Sequence, residues 1–264
     1  MAAPIAIITG SGTYALPGFE GDGPRPVSTR WGQTAVSEGR FAGVDVLHLS
    51  RHGEGHPRLS NHVTHRANIA ALAELGASGV IAVTVCGAVE PDLELGSLVC
   101  FDDLHFAVNR LPGGELCTLY PDAGDPHRGH WIFAGPFSDP LRAAVLDGGA
   151  AAGVAVRDGG CYGHVDGPRF NTRAEIRGLA ACGVTAVSQT AGPETVLAGE
   201  AELPYALVGY PTDYANGVKA EATPVEMLVE MMGRSTDAFA ALLHEAVPRA
   251  AAAAPRPPGT VFRF

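Results

Sequence analysis

The residues able to do chemistry stand where short apolar runs end. TGSGTY closes IAIIT, RHGEGH follows VDVLHLS, TVCGAV closes GVIAVTV, SQTAGPE closes GVTAVS, and PTDY follows YALVGY. The hydroxyls of Ser11 and Thr84, backbone N–H groups in a Gly10 to Gly12 turn, and positive charge on Arg51 beside His52 would suit a phosphate-sized anion. Thr190 would close that cradle from the opposite side, and a helix beginning near Pro193 would add partial positive charge if its N-terminus points inward. Asp213, read as a loop residue, is the carboxylate placed to exchange a proton beside an uncharged ligand.

Each signal also has a plainer reading. GSG after a strand is commonly a tight turn, Thr84 suits a strand, Thr190 suits a helix cap, and Asp213 suits the turn PTDYANG. Their joint placement at the ends of apolar runs is what favours a site. GSGTYA lacks the third glycine of a dinucleotide fingerprint, and no acidic residue ends a second strand to read a ribose. His52, His56, His62 and His65 are crowded, but Gly53 and Gly55 interrupt any helix that would align His52 with His56. No carboxylate or cysteine spacing completes a ligand set, and Arg51 disfavours a cation, so no metal is expected.

The elements that must position these residues alternate between strand and helix. Runs 5–9, 44–50, 79–85, 183–188 and 205–210 read as buried strands. NHVTHRANIAALAELG reads as a helix capped by Asn61 and stopped by Gly76, TRAEIRGLAACG and GPETVLAGEAEL repeat the pattern, and 223–247 makes a long closing helix. The expected fold is α/β, a mixed and largely parallel sheet covered by helices, with the site at the carboxyl ends of strands. One domain is expected over 1–264, with about 252–264 a solvent-side tail rich in proline and alanine.

A chain of 264 residues, 46% hydrophobic and 17% charged, can bury one large core. Its net charge of −10 argues against nucleic acid or an anionic membrane as a partner, and an anionic substrate would need a local cationic pocket. The cysteines Cys86, Cys100, Cys117, Cys161 and Cys182 are scattered without CxxC spacing, which fits reduced thiols in a cytoplasm. No run is long enough for a membrane span, and the N-terminus has no basic leader.

Taken together, IITGSG, RHGEGH with HRANIAAL, TVCGAV with PDLELGSLV, DGPRFNTRAE, SQTAGPETVLAGEAELPYA and TDY resemble the 5'-methylthioadenosine phosphorylase branch of the trimeric purine nucleoside phosphorylases. The resemblance spans nearly the whole chain in order. It implies a single α/β domain whose mixed sheet is partly closed into a barrel and flanked by helices, assembled as a homotrimer. The implied reaction is phosphorolysis: phosphate, the co-substrate, attacks C1' of a purine nucleoside, with no metal or organic cofactor. The matching phosphate ligands are Ser11, Arg51, His52, Thr84, Thr190 and the Val85 backbone amide. Asp213 matches the acid that meets the leaving purine, with Arg51 and His52 completing the catalytic set. Phe170, Val187, Ser188, Gln189 and Ala215 fall where base and ribose are held. Pro224 and Leu228 match the 5' pocket, with His130 reaching in from a neighbouring subunit.

Two positions depart from the branch's pattern. TDYA stands where TDYD is usual, so Ala215 cannot recognise a 6-amino group as a second aspartate would, and a 6-oxopurine nucleoside such as methylthioinosine stays open. SQT stands where NMT or GMT is usual, so Gln189 either lays its aliphatic stem on the ribose or hydrogen-bonds the sugar directly. Apolar Pro224 and Leu228 favour a methylthio group over a free 5'-hydroxyl, making methylthioadenosine the preferred substrate. A specialised 5'-modified nucleoside, a nucleoside hydrolase using water, and a binding protein without turnover are the competing readings.

Overall fold

The computed structural model describes residues 3–11, 13–53 and 55–263. The chain begins with β1 (Ile5–Thr9), β2 (Glu20–Gly21), β3 (Arg25–Thr29), β4 (Gly32–Phe41), β5 (Val44–Ser50), α1 (His65–Glu74) and β6 (Gly79–Ala88). It continues through β7 (Leu98–Cys100), β8 (Asp103–His105), β9 (His130–Ile132), α2 (Asp139–Ala152), β10 (Val156–Asp158), β11 (Cys161–His164) and α3 (Arg173–Ala181). It closes with β12 (Val184–Ser188), α4 (Ala191–Glu200), β13 (Tyr205–Tyr214), α5 (Val225–Ala252) and β14 (Thr260–Phe262).

The main sheet runs β10-β7-β13-β6-β1-β5-β4-β2, with β3 on β4 and a branch β12-β11-β8 leaving β6. β1 is parallel to β5 and β6, and β6 to β13, whereas β4 on β5 and β12 on β6 are antiparallel. The architecture is thus a single α/β domain with a mixed sheet. Its central strands are largely apolar and buried because helices cover both faces. Ala6, Ile8, Val80 and Ala82 point into a core shared with α1 and α4, while Ile5, Ile7, Ile81 and Val83 point into one shared with α2 and α5.

The two strands carrying the key hydroxyl and carboxyl groups run past the expected ends. β6 continues through the TVCGA segment to Ala88, so Thr84 lies inside the strand and not at its end. On one edge β6 pairs with β1 only as far as Ala82 and with β12 only from Gly87. The edge between them is left without a strand, and the opening expected from a turn is instead a split in the sheet. β13 likewise continues through PTDY to Tyr214, which places Asp213 in a strand and corrects its reading as a loop residue. Pro211 pairs with Cys86 and Asp213 with Gly87, so Thr212 is the extra residue of a bulge that re-aims the following carboxylate.

Helix starts also shift. Residues 60–62 form a short 3-10 turn ended by extended Val63, so α1 begins at His65 with Thr64 before it, and Asn61 is not its cap. α3 has a full capping box between Thr172 and Glu175, the signature carried by TRAE. The segment after 252 is mostly exposed, yet it is not a free tail: β14 pairs with β9 and buries Val261. Among the described residues no helix is long and apolar enough to cross a membrane.

Candidate active site

A cleft of about 320 Å³ opens where the sheet splits. Ser11, His52, Thr84, Val85 and Thr190 line one end of it. Phe170, Val187, Ser188, Gln189, Asp213 and Ala215 line the rest, with Leu228 of α5 over the mouth. Gly12 of the expected glycine turn lies outside the described residues.

Three expected residues do not line the cleft. Pro224 is the residue before α5 and stands back from it. His130 lies on β9, in register with Phe262 of β14, and is likewise absent from the lining. Arg51 is the third, and its position has a clear cause. Its side chain is fully buried, with Nε and Nη2 donating to the Glu194 carboxylate at 2.7 and 2.9 Å and Nη1 donating to the Val83 carbonyl at 2.7 Å. Tyr205 donates to the same carboxylate at 2.9 Å. Burial alone would lower the arginine pKa and raise the glutamate's, but their attraction outweighs it and both remain charged. Gly10 is required beside this pair, because a Cβ there would collide with Arg51 Nη1.

No arginine or lysine side chain is among the described residues that line the cleft. Burial, then the Arg51 charge, push the His52 pKa down to about 4. Its Nδ1 lies 2.8 Å from the Arg58 carbonyl, which can only accept, so Nδ1 carries the proton and Nε2 is the acceptor in the neutral ring. Beside it stand His56 and the hydroxyls of Ser11, Thr84 and Thr190. Thr84 Oγ1 donates to the Val85 carbonyl at 3.0 Å and lies 3.3 Å from Ser188 Oγ. Thr190 precedes α4 without a side-chain capping bond, so its hydroxyl is not consumed by the helix. The first helical amides at Thr190 and Ala191 instead meet the Tyr162 hydroxyl at 3.4 and 3.2 Å.

At the other end Asp213 is buried and its pKa is raised by desolvation, partly opposed by the Thr212 hydroxyl donating to Oδ1 at 2.8 Å. A buried carboxyl kept toward its protonated form can donate to a ring nitrogen. Phe170 is 61% exposed, an apolar ring at the mouth rather than in a packed core.

Sequence reasoning passed over several lining residues. Met232 stands one helical turn beyond Leu228 and enters the cleft with it, a pairing that the i, i+4 spacing of α5 could have disclosed. Thr212 was adjacent to Asp213 in sequence, but its orienting bond depends on the bulge. Ser60 and His56 come from the loop after β5, where no periodicity marks them. His56 stacks on His52 with ring centroids 4.3 Å apart, and its Nδ1 lies 2.8 Å from Tyr14 Oη.

Comparison with known proteins is consistent over the full fold. Residues 4–248 match the model of the phosphorylase superfamily. The chain is 36% identical to S-methyl-5'-thioadenosine phosphorylase of Mycobacterium tuberculosis, over 94% of this chain and 89% of that protein. It is 33% identical to 6-oxopurine nucleoside phosphorylase of Pyrococcus furiosus, over 92% of each. Among solved structures, methylthioadenosine phosphorylase from Schistosoma mansoni in complex with adenine superposes with a TM-score of 0.83 at 29% identity, covering 93% of this chain and 91% of that one.

Proposed function

The chain belongs to the phosphorylase superfamily, and from that premise we propose that it is a purine nucleoside phosphorylase converting 5'-methylthioadenosine and phosphate to adenine and 5-methylthioribose 1-phosphate. The observation that carries this reading is a cleft with hydrogen-bond donors for an oxyanion at one end and a carboxyl of raised pKa at the other.

In this reading phosphate sits against Ser11, Thr84, Thr190 and His52, at the unpaired edge of β6. Val83 turns its carbonyl to that edge to meet Arg51, and Val85, two residues on, turns its N–H the same way. Phosphate held beneath the sugar attacks C1', and its charge stabilises the oxocarbenium-like transition state. Electrons of the breaking glycosidic bond flow into the purine, and protonated Asp213 donates to N7. Val187, Ser188 and Gln189 border the sugar, and Phe170 packs on the base. Arg51 acts from behind the cradle, with two outer N–H groups remaining beyond its Glu194 and Val83 bonds. Phosphate beside His52 favours its protonated form and so opposes the burial that lowers its pKa.

Leu228 and Met232 give the α5 side of the cleft an apolar wall, which supports a methylthio group over a free hydroxyl. Pro224 holds the start of α5 above that wall. The reaction uses no metal or organic cofactor. The assembly in this reading is a homotrimer of single-domain subunits with partly barrelled sheets, in which His130 completes a neighbour's 5' pocket. Exposed Ile132 on β9 and Phe133 beside it support burial of that surface between subunits. The enzyme works in the cytoplasm. A second reading, phosphorolysis of a 6-oxopurine nucleoside such as methylthioinosine, is favoured by Ala215, which lines the cleft and can accept nothing from a 6-amino group.

Base release from methylthioadenosine, methylthioinosine, adenosine and inosine, each with and without phosphate, tests the proposal. Adenine release from methylthioadenosine only with phosphate is expected. Release without phosphate would make the protein a hydrolase, and preference for methylthioinosine would assign the second reading.

A further inference from the structure

We infer that Gln189 is a strap joining the phosphate-side segment 58–60 to the base-side loop 165–171, so that ordering either one orders the other; the inference rests on the nucleoside-plus-phosphate reading of the cleft. Gln189 follows the last residue of β12. Its Nε2 donates to the Arg169 carbonyl at 3.2 Å, and the Ser60 hydroxyl donates to its Oε1 at 2.8 Å. The carboxamide orientation is fixed by chemistry, because a carbonyl accepts and cannot donate. Methionine, the residue usual at this place in the pattern the sequence resembles, could make neither bond.

The surroundings are shaped for this contact. A Cβ on Gly167 would meet Gln189 Oε1 and Ser60 Oγ and push these two bonded groups aside, so the base-side loop packs directly on the strap. Beyond Arg169, its guanidinium holds the Glu175 carboxylate through both oxygens at 2.9 and 2.7 Å, anchoring the loop on the first turn of α3. On the other side Ser60 is buried, and the Arg58 carbonyl of the same loop fixes the His52 ring. A continuous path therefore runs from His52 through Arg58, Ser60, Gln189 and Arg169 to α3. Phosphate that orders His52 lowers the cost of closing 165–171 on a base, and a bound nucleoside tightens phosphate in return.

Gln189 is on this account a positioning residue whose signature is coupling between the two substrates. The test compares wild type with Ser60→Ala, Gln189→Met, their double variant, and Gln189→Glu, which keeps an acceptor for Ser60 but loses the donor to Arg169. Hydrogen exchange of the 165–171 amides is read by mass spectrometry, together with phosphate KM at low and saturating nucleoside. Ser60→Ala removes a hydroxyl on the opposite loop, yet exchange in 165–171 should rise about three- to tenfold. Gln189→Met should do the same, and the double variant should add little more. Gln189→Glu should loosen 165–171 directly by losing the donor to Arg169, and 58–60 less strongly through the lost coupling, because the Ser60 bond is kept. Phosphate KM should lose its dependence on nucleoside in all variants, with kcat changing less than KM. Unchanged exchange in Ser60→Ala, or additive effects of the two single changes, overturns the strap. Wild-type protein without phosphate-dependent base release would overturn the functional reading instead, and the exchange data would still decide the strap.

Discussion

The two ends of the cleft are built differently. The phosphate-side end is set in the central sheet: Thr84 is 5% and Thr190 4% exposed, and a fully buried Arg51–Glu194 pair stands behind them. The base and sugar end hangs on a bulge, two loops and the first turns of α5, with Phe170 61% and Val225 69% exposed. A group common to every turnover can be held by groups that never move. A group that varies between substrates is met by side chains that can change without disturbing the core. Gln189 is a departure of this kind, whereas Ala215 is buried in a small core with Val89, Ile176 and Val187.

Breaking the buried pair should have the largest effect. Arg51→Ala leaves the Glu194 carboxylate buried without its partner, and stability should fall by about 3–5 kcal/mol in denaturant unfolding, with loss of phosphate-dependent turnover. Replacing both partners by apolar residues, Arg51→Met with Glu194→Leu, should restore much of the stability and none of the turnover. If the double variant turned over normally, Arg51 would be only structural.

At the other end, Asp213→Asn should separate the two properties in the opposite way. Melting temperature should hold, while kcat on an adenine nucleoside falls roughly 10²- to 10⁴-fold. Near-normal rates would remove Asp213 from the mechanism.

Acid should act through the buried histidines, of which His52 alone lines the cleft. His48, His52 and His65 have pKa values lowered to about 4, and His164 to about 3, chiefly by burial. Above the ordinary histidine value of 6.5 these rings are neutral both folded and unfolded, so they cost nothing. As pH falls from about 6.5 toward 4 the unfolded chain takes up protons that the native fold refuses, and stability drops throughout that window. Thermal unfolding between pH 7.5 and 5 should show a steady decline, lessened by phosphate, which favours protonated His52. A melting temperature flat across this range would contradict the burial of these rings.

The smallest expected effect is Thr212→Val. Losing the hydroxyl that donates to Asp213 Oδ1 removes support for the carboxylate, so the Asp213 pKa should rise further. With protonated Asp213 as the active form, the alkaline fall of kcat should move to higher pH. No movement would mean that the limb belongs to another group.

Ser11, His52, Thr84, Val85 and Thr190, which line one end of the cleft, could be singled out because each stands near the end of an apolar run or just after it. Asp213 was legible as an acid but not as a strand residue: PTDY reads as a turn, and only pairing through Ala88 of β6 extends β13 past its proline. The hairpin strands β3 and β4 and the helix α2 carried weaker patterns, since their burial depends on which face meets the sheet. Gln189 was visible as an oddity, but its partners lie 129 residues before it on one side and 20 on the other, a distance in sequence that no local pattern bridges.

By itself the sequence determined the alternation of strands and helices, the acidic surface, the hydroxyls, amides and carboxyl group available to a substrate, and the family whose order of motifs it follows. These are properties of residue type and spacing. Tertiary structure decided that Arg51 faces Glu194 and not the open cleft, that His52 is neutral, that Thr212 bulges to aim Asp213, and that Gln189 spans two loops. Each of those depends on burial and on partners remote in sequence, and a pKa or a hydrogen bond exists only once the fold has chosen the neighbours.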